Sequence, residues 1–405
     1  KMLLFFGKKP QTEADDFPEI HLPAGGSCLF WVRLSCDEAT EPGTYTLYLC
    51  AGESRKEITA EVLPITLPAV HTGIMLWGSF TDMYPFVYSD RAAREVAYRR
   101  SLGINIYSGW PNEGTAARVA FEQDPQSQFG IYALGIYGDK IYNNHLKPQD
   151  VTPEMEADVA EILAACVRKA EEVGIGFDRW FIEMPDEPGR HNMAAVRTFV
   201  EMCKRIEPRI RIYVNPACWT GFENDGVESD ETLVNLLDGW YDKLVDISVP
   251  LALNLEDRPK AMRYFRADRE FNGQYWVAGQ HMNADRGELV SLPRVCAWDS
   301  ISRDLNFWGF YSYYCPRLNS WDNAVRPYEN VDGTINYQCV YGGLNGPVPT
   351  RASEAIREGW QDYRIMQLVR EQAPETYRRL QKQYLSGEYT FEGLRREALD
   401  ALTQV

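Results

Sequence analysis

The chain has 405 residues, 45% hydrophobic and 25% charged, which permits a sizeable core and rules out wholesale disorder. Lysine and arginine number 42 against 58 aspartates and glutamates, a net charge of -16. That field repels phosphate backbones and makes nucleic acid and anionic membranes poor partners.

No run approaches the roughly 18 apolar residues of a membrane helix, so no membrane insertion is expected. The opening Met2-Leu3-Leu4-Phe5-Phe6 is too short for a signal-peptide core, although a leader could already have been removed. The compartment therefore stays open. The 9 cysteines are scattered with no Cys-x-x-Cys pair, which indicates neither a zinc site nor a disulfide framework.

In chain order, residues up to 68 read as a small antiparallel β-sandwich. Strand-like alternation covers 29–34, 44–49 and 56–63, with Glu41-Pro42-Gly43 as the turn signal between the first two. Pro64 and Pro68 bracket a linker. From about residue 70 short apolar strands alternate with amphipathic helices. The spacing predicts strands at 73–77, 105–108, 131–136, 179–184, 211–215, 246–249, 274–278 and 308–313. Helices are predicted at 91–102, 153–173, 193–206, 230–241, 259–271 and 292–305. The clearest is 153–173: Thr152 suits an N-cap, Pro153 the first turn, and Gly174 the stop.

About eight β-then-α units over some 270 residues match a (β/α)8 barrel. A doubly wound nucleotide-binding sheet would need a Gly-rich first turn, and none is present. The expected organisation is a sandwich at 1–68, a TIM-like α/β barrel at 69–350, and a helical tail at 351–405 packing on the barrel.

Barrel active sites lie at the C-terminal ends of the strands. The fourth strand ends in Glu183-Met184-Pro185-Asp186-Glu187-Pro188-Gly189. Three carboxylates beside an apolar strand are costly unless they line a cleft or carry out chemistry. In a regular strand Asp186 and Glu187 would point to opposite faces. The flanking prolines break that regularity and let both side chains enter one site. Adjacent carboxylates also push each other's pKa values apart, as a division between acid and base requires.

Asp186-Glu187-Pro188 is followed far downstream by Asp332-Gly333-Thr334-Ile335-Asn336-Tyr337 and by the stretch from Pro349-Thr350-Arg351 through Gly359-Trp360-Gln361-Asp362-Tyr363. Together these motifs resemble glycoside hydrolase family 123 and the broader group sharing its catalytic domain. The resemblance implies a retaining β-N-acetylhexosaminidase, with β-GalNAc favoured, in which the substrate's own 2-acetamido group is the nucleophile. The family's catalytic pair matches Asp186, which would orient and polarise the acetamide, and Glu187, which would act as general acid and then base. The partner implied is an oligosaccharide or glycoconjugate.

The residues also speak to the mechanism directly. A conventional retaining glycosidase needs a second carboxylate about 5–5.5 Å from the acid, commonly from a late strand. After Tyr275 no carboxylate appears until Asp285, as substrate assistance predicts, although Asp285 keeps the conventional route open. A carbohydrate-binding barrel without activity is the third reading.

Sugar rings stack on aromatic side chains, and these cluster where the predicted strands end. Tyr107, Trp110, Trp276, Tyr313 and Trp321 are the candidate subsite walls, with Asn215 and His281 as polar contacts. The 5 histidines show no metal-binding spacing, and no nucleophile elbow or phosphate loop is present. No metal or cofactor is expected.

Overall fold

The computed structural model describes residues 2–5, 29–37, 39–51, 53–69, 73–76, 89–108, 120–131, 147–216, 227, 229–250, 258–266, 270–275, 292–305, 307–310, 313, 339–343 and 346–404. The chain divides into two compact units, one comprising Lys1–Val70 with Trp360–Val405 and the other His71–Gly359. The division falls at Gly359–Trp360, within the helical segment that begins at residue 351.

In the first unit β1 (Met2–Phe5) pairs antiparallel with β2 (Leu29–Val32). A second ladder joins β3 (Gly43–Ala51) and β4 (Ser54–Val62), in register from Gly43↔Val62 to Ala51↔Ser54. The described residues form these two separate ladders where a sandwich was expected.

The second unit is built on eight parallel strands. They are β5 (Gly73–Leu76), β6 (Ile106–Ser108), β7 (Gln128–Ile131), β8 (Trp180–Glu183), β9 (Arg211–Val214), β10 (Ile247–Ser248), β11 (Glu270–Tyr275) and β12 (Phe307–Phe310). Each pairs in parallel with the next, and β12 pairs with β5, which closes the barrel. Met75, Ile106, Phe181, Tyr213, Ile247 and Val249 form one buried cluster drawn from five of the eight strands and the residue after β10. Barrel interiors are filled this way, by branched and aromatic side chains rather than by a pore. Glycine makes one contact possible: a Cβ on Gly309 would sit 2.0 Å from the Met75 carbonyl oxygen across the β12–β5 seam.

Between the strands run α1 (Ser89–Ser101), α2 (Pro153–Val173), α3 (Met193–Ile206), α4 (Asp230–Leu237), α5 (Tyr241–Leu244), α6 (Met262–Arg266) and α7 (Leu292–Ser302). The signals at 152–174 operate as expected: the Thr152 hydroxyl accepts from the Met155 N–H at 3.2 Å, and Gly174 ends the helix with φ 83°. The single helix expected at 230–241 is instead two, because Gly239 adopts φ 79° between them. The helix expected at 259–271 shortens to α6, and β11 begins at Glu270.

On the N-terminal side of the strands Asp246 ties two elements together. Its Oδ2 accepts from the Ile212 N–H and from Lys204 Nζ, both at 2.8 Å.

After β12 come β13 (Val340–Gly343) and β14 (Gly346–Pro349), an antiparallel pair, then α8 (Arg351–Gln372), α9 (Pro374–Leu385) and α10 (Phe391–Thr403). The boundary between the units falls inside α8. On the barrel side, Arg357 bonds Glu354 at 3.0 Å and donates to the Ser101 carbonyl. On the other side, Arg364 donates to the carbonyls of Leu67 and Pro68 at 2.7 and 2.8 Å, and Asp362 receives Arg395. Buried Leu394, Ala398 and Leu402 repeat every fourth residue along α10, the stripe of an amphipathic helix.

Candidate active site

The fourth strand, β8, delivers the acidic turn to the C-terminal end of the barrel. Trp180, Phe181 and Ile182 are buried on both faces, as a strand sandwiched between barrel interior and outer helices must be. Phe181 faces inward, where it stacks on Tyr213 with ring centroids 5.5 Å apart. Glu183, two residues on, shares that face by strand alternation and is 5% exposed. Its carboxylate occupies space that a side chain on β7 would fill, since a Cβ on Gly130 would lie 2.0 Å from Glu183 Oε1.

Beyond Glu183 the ladder runs one bond further, with the Met184 N–H donating to the Tyr213 carbonyl at 3.0 Å. The chain then turns. Pro185 and Pro188 are buried, Asp186 keeps an exposed surface, and Glu187 adopts φ 49°. A left-handed conformation is uncommon for a residue with a Cβ and points to a site that the surroundings over-determine. The turn closes where Asn192 Oδ1 accepts from the Gly189 N–H at 2.7 Å, just ahead of α3.

Asn215, the residue after β9, supplies that determination. Its Nδ2 donates to Asp186 Oδ1, and its Oδ1 accepts from the Glu187 N–H at 3.2 Å. The amide is 2% exposed. Parallel pairing of Glu183 with Tyr213 is what carries Asn215 alongside the turn.

The electrostatics follow from this enclosure. Asp186 is open to solvent on one side, yet protein crowds it closely enough that lost hydration raises its pKa. The Asn215 hydrogen bond and the Glu187 N–H pull the other way. Tyr213 is pushed well above the usual phenol value by burial, and next by the negative charges of Glu183 and Asp186. The Tyr213 hydroxyl hydrogen-bonds to no described residue. The cluster therefore offers one exposed carboxyl held toward its protonated form, a second carboxylate beside it, and a phenol that stays protonated beneath them. Carboxylates in such unequal surroundings suit a division between acid and base.

The expected site residues divide three ways. Asp186, Glu187 and Asn215 come together. Tyr107 and Tyr313 do not join them: both are fully buried. Ile106 takes the inward place on β6, so Tyr107 faces the helices, and Arg99 of α1 sits 5.8 Å from its ring and 4.1 Å from that of Tyr313. These two tyrosines pack around a buried guanidinium and present no surface to a sugar. Trp110, Trp276, His281 and Trp321, with Asp285, lie outside the described residues.

Sequence reasoning missed the inward position of Glu183 and the placement of Tyr213. Alternation along 179–184 and 211–215 carried that signal, since Phe181 with Glu183 and Tyr213 with Asn215 fall on common faces. Among the described residues no cluster of three His, Cys, Asp or Glu could hold a metal ion. No described helix is long and apolar enough to cross a membrane.

No family model and no curated protein matches the sequence. Among solved structures, a family 123 glycoside hydrolase from Clostridium perfringens, described in connection with glycolipid glycan hydrolysis, superposes with a TM-score of 0.65. Identity is 12%, over 94% of this chain and 81% of that one. A family 5 glycoside hydrolase from Bacteroides vulgatus gives a TM-score of 0.44 at 9% identity, over 73% of this chain and 66% of that one. A β-D-glucuronidase from Dictyoglomus thermophilum gives 0.44 at 10% identity, over 85% and 59%. The first likeness is one of fold, and it is to the family that the sequence motifs resemble.

Proposed function

We propose that this chain is a glycoside hydrolase acting on β-linked 2-acetamido sugars, β-N-acetylgalactosaminides first among them, by a retaining mechanism in which the substrate's acetamide is the nucleophile. The observation that carries the reading is the seating of Asp186 and Glu187 in one turn at the C-terminal end of β8, held by Asn215. Barrel enzymes keep their chemistry at that end. The likeness in fold to the Clostridium perfringens family 123 enzyme supports the hydrolase class.

In this mechanism Asp186 receives the acetamide N–H and turns its carbonyl oxygen toward the anomeric carbon. Glu187 protonates the departing oxygen as the oxazoline forms. In the second step Glu187 takes a proton from the water that opens that ring, which restores the β-configuration. Asp186 accepts the acetamide N–H as the ionised carboxylate, so its raised pKa moves the onset of activity to higher pH. Trp110, Trp276, His281 and Trp321 remain the candidate subsite residues.

A panel of aryl β-glycosides differing only at C2 and C4 tests the proposal. Turnover of 2-acetamido substrates, fastest with the galacto configuration, is expected. Turnover of 2-hydroxy substrates with none of the 2-acetamido ones would replace it with a conventional nucleophile, and a 2-fluoro glycoside would then leave a stable sugar adduct on a carboxylate. An inert panel leaves the carbohydrate-binding barrel.

A further inference from the structure

We infer that Asn215 is a positioning residue for both carboxylates: one buried amide holds the Asp186 side chain and the Glu187 backbone in a single geometry. The inference rests on the reading of Asp186 and Glu187 as the catalytic pair. It assigns Asn215 a task other than contact with a sugar hydroxyl.

The argument starts from the chemistry of the amide. Its nitrogen only donates and its oxygen only accepts. Asp186 Oδ1 offers an acceptor and the Glu187 N–H a donor, so the two contacts together admit one orientation of the Asn215 side chain. The amide itself is 2% exposed, so its side of both part-buried bonds is shielded from water. The two contacts also differ in what they control. The bond to Asp186 fixes a carboxylate rotamer and stabilises its charge. The bond to Glu187 holds a backbone with φ 49°, a strained conformation that persists only where its surroundings maintain it. Because β8 and β9 are hydrogen-bonded neighbours, the amide rides on the barrel frame rather than on a loop. The described groups that act on Asp186 are the Asn215 amide and the Glu187 N–H, while Asp186, Glu183 and Glu187 all bear on the Tyr213 phenol.

Two substitutions separate the tasks. Asn215→Ala removes both bonds. Asn215→Asp keeps the shape and the acceptor for Glu187 but loses the donor, and sets a second carboxylate against Asp186. In Asn215→Ala, kcat on an aryl 2-acetamido glycoside should fall on the order of 100-fold with KM little changed, the signature of lost alignment rather than lost binding. In Asn215→Asp the acid limb of the kcat/KM profile should move to higher pH, because two carboxylates in contact share a proton.

A structural arm that needs no turnover runs beside these assays. Carbon-13 titration of the Asp186 carboxyl, assigned through Asp186→Asn, should rise in Asn215→Ala and split into two steps in Asn215→Asp. Exchange of the Glu187 amide proton should speed up in Asn215→Ala and not in Asn215→Asp. If the wild type turns over no 2-acetamido glycoside, the functional reading fails and the titration and exchange arm alone decides the role of Asn215. An Asp186 titration unchanged in both variants, or an Asn215→Ala enzyme with wild-type kcat and pH profile, overturns the inference.

Discussion

The carboxylate of Glu183 sits where a side chain at Gly130 would have to be: a Cβ built on Gly130 falls 2.0 Å from Glu183 Oε1 and 2.8 Å from Phe181 Cε2. A glycine on β7 is therefore the condition for a buried acid on β8. Gly309 plays the corresponding part at the β12–β5 seam, but the atom it would strike is the Met75 carbonyl oxygen, which belongs to the barrel backbone.

Both glycines should resist replacement, and unequally. Overpacking of this kind costs about 1–3 kcal/mol. Gly130→Ala should fall within that range, since the Glu183 side chain can rotate away. Gly309→Ala should exceed it, because relief requires moving a strand. Urea unfolding of the two variants checks the order, and equal costs would mean that the Glu183 carboxylate is as firmly held as backbone.

A second expectation concerns the buried pair on α1. Arg99 Nε and Glu95 Oε1 are 2.8 Å apart with side chains 0% and 1% exposed, and the Tyr107 and Tyr313 rings complete the surroundings of the guanidinium. Removing one partner leaves an uncompensated buried charge, so Glu95→Gln should destabilise the chain by about 3–5 kcal/mol. The double variant Glu95→Gln/Arg99→Met should recover much of that loss. Thermal unfolding of the three proteins decides between a pair that depends on both charges and independent packing contributions.

That pair also shows where the sequence was legible and where it was not. The strands at 180–183 and 211–214, each with three apolar residues in a row, lie within the ranges that their pattern predicts. The strands at 128–131 and 270–275 begin earlier than expected and take in Gly130 and Asn272-Gly273, residue types that ordinarily punctuate a strand. Tyr107 was mistaken for a sugar platform because a strand-end aromatic has an inward and an outward choice, and only the neighbouring Ile106 settles which. The acidic turn was visible, since carboxylates between prolines cannot hide in a strand. The double hold of Asn215 was not, because it depends on which strand lies next to β8, information that a sequence separation of 29 residues conceals.

Asp186 should trade stability for function. A carboxyl whose pKa is raised on folding favours its protonated form in the folded chain. Its stabilising contribution is full below the unfolded pKa and lost as pH rises through the folded one. Near neutral pH the ionised Asp186 is thus a liability, and Asp186→Asn should unfold at a higher temperature than the wild type. The gap should narrow as pH falls through the carboxylate range. A variant less stable than wild type at pH 7, with no narrowing in acid, would mean that the hydrogen bond from Asn215 outweighs the loss of hydration.

The assignment of acid and orienting group separates by leaving group. If Glu187 protonates the departing oxygen, Glu187→Gln should lose about 10²–10⁴-fold on substrates with basic leaving groups, the range expected of a positioned general acid. Aryl leaving groups that depart without a proton should lose far less in the first step. Asp186→Asn should slow both classes alike, because the acetamide must be aligned whatever departs. The raised pKa of Asp186 adds a further check. An enzyme that works through ionised Asp186 should show an acid limb above the ordinary carboxylate range, and that limb should vanish in Asp186→Asn while the limb set by Glu187 remains. Leaving-group dependence lost in Asp186→Asn and kept in Glu187→Gln would exchange the two roles, leaving the turn and its Asn215 hold unchanged.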